Sequence, residues 1–295
     1  MRRVNLTHVL CPIDFSSLTP GSLAAASAIA RARHAELRAL HVMSSDGLAP
    51  GQSPGALERQ TLMSQLRASL DEAAPAYDRT GAAIRRGDPA SQILRFARAL
   101  PADLIVMGAP GADRPERPAG PVTSVVVTRS DCPVLTVPTH HMPWANESGL
   151  FSRIVCAVNL APSSRSVVDQ ALALAWETHA HLTYVCVFPD SASGDHLGAR
   201  ARLLEAIPVE AHDWCVVEIL VSTGSVGGEI VRVAESANAD LVVIGPPRRW
   251  TSAAHAVLGR SLCPVLVTHD VRPLRRPRAT TRPAQSGLHG EERRS

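Results

Sequence analysis

The chain contains no lysine, so all 30 of its basic charges are arginine. That bias fits a GC-rich codon composition and carries no functional message, but it does exclude a Walker-type phosphate loop, which needs its lysine. Phe, Trp and Tyr together make up only 3% of the residues. A stacking platform for single-stranded nucleic acid is therefore not expected, since bases need rings to stack on. Apolar runs such as Leu104 to Met107 and Leu241 to Ile244 fall far short of the roughly 20 residues that cross a bilayer. Arg2 and Arg3 are followed by Asn5, Thr7 and His8 rather than an apolar h-region, so a cytoplasmic protein is expected. The six cysteines form no C-x-x-C. Cys11, Cys156 and Cys186 lie in apolar strand-like runs, where reduced, buried thiols are expected rather than disulfides or metal ligands.

What is present suits a globular protein of about two domains: 295 residues, 45% hydrophobic and 19% charged,. The formal net charge of +3 comes largely from residues 272–295, which carry seven Arg against Glu291 and Glu292. The remainder is slightly acidic, so a body built to grip DNA phosphates is not indicated.

An internal repeat organises the chain. His8-Val9-Leu10-Cys11-Pro12-Ile13-Asp14 is echoed by Arg153-Ile154-Val155-Cys156-Ala157-Val158-Asn159 at an offset of 145, and His34-Ala35-Glu36-Leu37 by His179-Ala180-His181-Leu182 at the same offset. Ala102-Asp103-Leu104-Ile105-Val106-Met107-Gly108 returns as Ala239-Asp240-Leu241-Val242-Val243-Ile244-Gly245 at 137, and Cys132-Pro133-Val134-Leu135 as Cys263-Pro264-Val265-Leu266 at 131. The second copy is an abbreviated version of the first. This divides the chain into domain 1 (1–140), a linker (141–150), domain 2 (151–271) and an Arg-rich tail (272–295) too poor in apolar residues to fold.

Each copy alternates short Val/Ile/Leu runs with Ala-rich amphipathic segments, the pattern of parallel strands joined by helices. Strands are predicted near Val4 to Ile13, Glu36 to Met43, Gly81 to Arg85, Asp103 to Gly108 and Pro133 to Val137. In the second copy they fall near Ser152 to Val158, His181 to Phe188, Cys215 to Val221, Leu241 to Gly245 and Pro264 to Thr268. Ser16, Ser17 and Thr19 offer capping oxygens for a helix running to about His34. A second helix covers Leu57 to Ala74, and a third covers Ser91 to Leu100 after Gly87-Asp88-Pro89. In copy two, Gly194 and Gly198 interrupt the run from Ser191 to Ile207. The fold class is α/β, with two tandem doubly wound, mostly parallel five-stranded sheets. The closing strands, short and apolar, are expected to pair as an internal pseudo-dimer, because such edges otherwise invite intermolecular pairing.

A first strand ending Pro12-x-Asp14-x-Ser16, the Gly87-Asp88-Pro89 turn, Ala102-Asp103-Leu104-Ile105-Val106-Met107-Gly108-x-x-Gly111 and the closing Cys132-Pro133-Val134-Leu135 together resemble the universal stress protein family, in both copies. The resemblance implies a Rossmann-like domain of the adenine-nucleotide α-hydrolase type, without strong catalytic apparatus, with roles in stress survival and frequent dimerisation through the last strand. It further implies weak ATP or AMP binding through Pro12, Ile13, Asp14, Val42, Met107, Gly108, Gly111, Gly120, Val122 and Thr123. From the residues alone, Asp14 either accepts a ligand hydroxyl at the carboxyl end of its strand or satisfies nearby backbone amides.

The family's phosphate segment is Gly-x-x-Gly, nine residues, then Gly-Ser or Gly-Thr. Here only eight residues separate Gly111 from Gly120, and Pro121 replaces the hydroxyl residue. Pro121 suits the first turn of a helix but offers phosphate neither N–H nor hydroxyl. Arg114 and Arg117 either reach phosphate or are simply solvated. Copy two has Asn159 for the Asp, Arg248 for the second Gly, and Pro246 and Pro247 removing amide donors, so it is not expected to bind nucleotide. His140 and His141 lack a third ligand at metal-like spacing, so no metal site is identified. His34 and His179 fit cationic rings at helix C-termini. The expected function is regulation by binding, not enzymatic turnover, with an unidentified protein partner, neither nucleic acid nor membrane as ligand, and a homodimer as one assembly. The alternatives are an interaction or scaffold protein of the same fold whose nucleotide sites are both dead, and an adenylyl-transfer or electron-transfer-flavoprotein relative.

Overall fold

A computed structural model describes residues 6–44, 56–109, 120–138, 151–161, 164–190, 194–246 and 252–269. Domain 1 runs β1 (His8–Ile13), α1 (Thr19–Arg33), β2 (Glu36–Met43), α2 (Ala56–Ala73), β3 (Thr80–Arg86), α3 (Pro89–Ala99), β4 (Leu104–Ala109), α4 (Pro121–Arg129) and β5 (Val134–Pro138). Domain 2 repeats the order with β6 (Arg153–Ala157), α5 (Ser164–Thr178), β7 (His181–Phe188), α6 (His196–Ala206), a 3-10 turn (Val209–Asp213), β8 (Val217–Thr223), α7 (Val226–Ser236), β9 (Leu241–Ile244), α8 (Ser252–Arg260) and β10 (Val265–Val267). The tail, the linker and His140 and His141 lie outside the described residues.

The strands form one ten-stranded sheet in the order β3-β2-β1-β4-β5-β10-β9-β6-β7-β8. Every pair is parallel except β5–β10, where the two copies meet antiparallel. Successive side chains alternate faces, so Val9, Cys11 and Ile13 enter the layer under α1 and α2 while Leu10 enters the layer under α3 and α4. Both faces are apolar and covered, as a parallel sheet requires. The layer under α1 and α2 continues through Leu135 and Leu266 to α5 and α6, so the copies share one core. Across it, Arg33 at the end of α1 pairs with Glu177 of α5.

Several local expectations are corrected. The first helix is capped not by a hydroxyl residue but by Leu18, whose side chain makes no cap hydrogen bond; Pro20 sits in the first turn instead, where its missing N–H costs nothing. Gly198 does not break its helix: it lies in the first turn of α6, and its N–H is accepted by the capping Asp195 at 2.8 Å. His34 and His179 do follow the C-termini of α1 and α5, and both take a left-handed backbone there, with φ of 53° and 52°. Histidine tolerates that region better than bulky residues do.

Candidate functional site at the carboxyl edge of domain 1

In domain 1 the strand order reverses between β1 and β4, the position at which doubly wound sheets place ligands beyond the strand carboxyl ends. Asp14 directly follows β1 there and is exposed. Its Oδ1 accepts from Ser16 N at 2.9 Å and from Thr19 Oγ1 at 3.5 Å. The backbone-satisfying role is thus realised by one carboxylate oxygen. Oδ2 has no hydrogen-bond partner among the described residues. Between them the chain passes through Phe15 at φ 60°, a turn that throws α1 back across the sheet.

Ile13 is buried and Pro12 half-buried, and both pair with β2 in register, Pro12 with Leu40 and Ile13 with His41. Val42 is half-buried at the end of β2. Met107 is buried on β4, and Gly108 follows it. A Cβ on Gly108 would lie 2.6 Å from Leu18 Cβ, so glycine here is required by the close approach of the start of α1, whatever else passes over it. Gly120 caps α4 with Pro121 in its first turn, and nothing stands within 4 Å of where a Gly120 Cβ would be. Val122 and Thr123 supply first-turn amides, which have no intrahelical acceptor. Gly111, Arg114 and Arg117 lie outside the described residues.

Two side chains that the sequence reading passed over belong to this edge. His41 Nδ1 donates to the Ile13 carbonyl at 2.9 Å, and its ring stands 4.7 Å from that of Phe15, tilted by 44°. A lone histidine in an apolar strand reads as core, which hid it; its position one residue before Val42 was the available signal. Asp103, by contrast, lies at the opposite, amino edge of the sheet, accepting from Thr7 N, Thr7 Oγ1 and His8 N at 2.7–3.0 Å.

Domain 2 reproduces the frame. Asn159 Oδ1 accepts from Ala161 N at 3.1 Å and from Ser164 Oγ, and Leu160 has φ 59°. The carboxylate is gone, however, and Arg202 Nη2 donates to the Leu160 carbonyl at 2.9 Å. His196, stacked on Phe188, shares a hydrogen bond with Thr223 Oγ1. Its phosphate-loop remnant lies outside the described residues beyond Pro246.

With two copies of this frame in view, the comparison with known proteins is decisive. The model of the universal stress protein family matches residues 5–138 and 150–269. The chain belongs to the universal stress protein family. Its fold is shared by a universal stress protein from Archaeoglobus fulgidus DSM 4304, with 18% identity, 90% of this chain and 97% of that one covered, and a TM-score of 0.66. A functionally unknown protein from Pseudomonas aeruginosa PAO1 gives 19%, 90%, 93% and 0.62. A universal stress protein from Archaeoglobus fulgidus solved in complex with dAMP matches at 22%, covering 40% of this chain and 98% of that one, with a TM-score of 0.35. None of the curated proteins matches the chain. Within the family frame, this member carries two unequal copies, joined through the strands that close each sheet. No helix among the described residues is long and apolar enough to cross a membrane.

Proposed function

We propose that this universal stress protein binds an adenine nucleotide, AMP or ATP, at the carboxyl edge of domain 1 only, and acts in the stress response by binding rather than by turnover. The observation that carries the reading is Asp14: an exposed carboxylate at the switch point of the sheet, with one oxygen fixed by the backbone and the other open to a ribose hydroxyl. Domain 2 holds the same turn with an amide in place of the charge, and a hydrogen bond to a charged acceptor is worth about 1.5–3 kcal/mol against about 1 for a neutral one. The six free cysteines fit a reducing, cytoplasmic compartment,. The last strand, through which family members often dimerise, is spent here on the internal pairing of β5 with β10, so a second copy or a protein partner would dock elsewhere.

Titration calorimetry of AMP against wild type, Asp14→Ala and Asn159→Ala tests the reading. Binding should be abolished or weakened at least tenfold by Asp14→Ala and untouched by Asn159→Ala. The reverse pattern would move the site to domain 2. No binding of any adenine nucleotide to the wild type would favour the scaffold alternative.

A further inference from the structure

Asp14, Phe15 and His41 meet at the carboxyl ends of β1 and β2, and their counterparts in domain 2 are Asn159, Leu160 and Cys186. The backbone beneath the two sets is the same: φ is 60° at Phe15 and 59° at Leu160, and β1–β2 and β6–β7 pair in matching parallel register. Side-chain chemistry, not the frame, separates the two edges.

His41 is held from two sides. Its Nδ1 lies 2.9 Å from the Ile13 carbonyl. A carbonyl oxygen can only accept, so Nδ1 carries the proton, and in the neutral ring Nε2 is left as an acceptor. The Phe15 ring, 4.7 Å away, limits how the imidazole can turn. Nε2 has no hydrogen-bond partner among the described residues, and with the ring half-exposed it is open to solvent or to a ligand. The next residue on the strand is Val42, and Asp14 follows the carbonyl that His41 holds.

We infer that His41 is a specificity residue for the base. Its Nε2 accepts an N–H from the exocyclic amine of a 6-aminopurine, and the bond to Ile13 fixes the tautomer that makes this possible. The inference rests on the reading that this edge binds a nucleotide. A 6-oxopurine would present an acceptor to an acceptor and lose that bond. Domain 2 has no equivalent reader, because Cys186 is buried there and burial raises its thiol pKa.

The test is calorimetric titration with AMP and with IMP, which differ in the amino or oxo group at the 6-position, on wild type, His41→Asn and His41→Gln. The Asn amide keeps a donor near the place of Nδ1 for the Ile13 carbonyl but has nothing at the place of Nε2, whereas the Gln amide reaches that place with either its oxygen or its nitrogen. Wild type should prefer AMP by about tenfold, the worth of one hydrogen bond of ~1.4 kcal/mol. His41→Asn should bring the two nucleotides level by weakening AMP alone, and His41→Gln should bind both. Equal weakening of AMP and IMP in His41→Asn would mean that His41 only supports the backbone, and equal binding by wild type would also overturn the inference. Failure of wild type to bind either nucleotide would instead remove the nucleotide reading itself, and this inference with it.

Discussion

Leu135 and Leu266, equivalent residues of the two copies, face each other across the antiparallel pair β5–β10. Their neighbours exchange partners, Val134 with Val267 and Thr136 with Val265. A pairing in which one residue meets its own counterpart while its neighbours exchange partners reciprocally marks a local two-fold axis, the arrangement of an isologous dimer built within one chain,.

Both leucines are buried in the layer shared by the two domains. Leu135→Ala and Leu266→Ala should each cost about 2–5 kcal/mol of stability. Because the two side chains are neighbours, the double variant should depart from additivity by about 0.5 kcal/mol or more. Urea unfolding of the four proteins measures the coupling. Strict additivity would show that the closing strands do not share a core contact.

Asp103 and Asp240 explain why the first strand of each copy is shorter than the apolar pattern predicts. Asp103 accepts from Thr7 N and His8 N, and Asp240 from Ser152 N and Arg153 N. The backbone donors at each strand entry thus go to a side chain. Replacing Asp103 by Ala should destabilise the protein by about 1–3 kcal/mol, through the loss of hydrogen bonds to a charged acceptor rather than through stranded donors, since Thr7 is exposed,. Nucleotide affinity measured below the unfolding transition should not change, because the residue sits at the amino edge of the sheet, away from Asp14. A selective loss of affinity would contradict that separation.

Much of the fold was legible because the two copies read each other. Glu36–Met43 and His181–Phe188 agree with their expected limits to the residue, since each starts just after a left-handed histidine. Less legible were features that depend on distant neighbours. The start of α1 is set locally by the Asp14 turn and by Ser16, whose Oγ accepts from Leu18 N at 3.3 Å, but also by the packing of Leu18 against Gly108, which depends on a strand far away in sequence. At the site, Asp14 and the strand ends stood out through a motif, while the pairing of His41 with the Ile13 carbonyl needs the β1–β2 register.

The alkaline limb of stability should be set in part by buried thiols. Burial pushes Cys11 up to about 12 and Cys215 and Cys263 to about 11, from an ordinary 9.0. A folded pKa above the unfolded one means that the native state keeps protons that the unfolded chain gives up. The contribution is therefore complete below pH 9 and is lost as pH rises from 9 towards 11–12. The urea midpoint of wild type should fall across that interval, and more steeply than that of Cys11→Ala. Identical slopes would mean that the Cys11 thiol ionises as freely in the fold as out of it.

The acid limb runs the other way at Glu229. Its hydrogen bond to Arg232, with a second from Ser222, holds the carboxyl near about 2, below its ordinary 4.5. Stabilisation from this group is present above pH 4.5 and is lost as pH falls through 2. Glu229→Gln should flatten the midpoint-against-pH curve between those limits. Arg232 is exposed and Glu229 half-buried, so added salt should flatten the wild-type curve in part as well,.

Phosphate recognition in domain 1 should be weaker than base and ribose recognition, and ATP should gain little over AMP. On the proposed reading the base and ribose side would use the strand-end backbone at Ile13, Val42 and Met107, which lies on the sheet itself, and Asp14, which directly follows β1. The phosphate side relies on the first turn of α4, where Pro121 removes one N–H and the hydroxyl of the family motif. That leaves the amides of Val122 and Thr123 as anion donors at a helix N-terminus. Each missing charge-assisted contact forfeits about 1.5–3 kcal/mol, enough to offset what the β- and γ-phosphates would add. Dissociation constants for ATP and AMP should therefore lie within about tenfold of each other in wild type. Pro121→Ser restores both an N–H and a hydroxyl at the start of the helix, and should tighten ATP while leaving AMP nearly unchanged. If Pro121→Ser changed neither, or if wild type already bound ATP a hundredfold more tightly than AMP, phosphate affinity would come from residues 110–119 rather than from the start of α4.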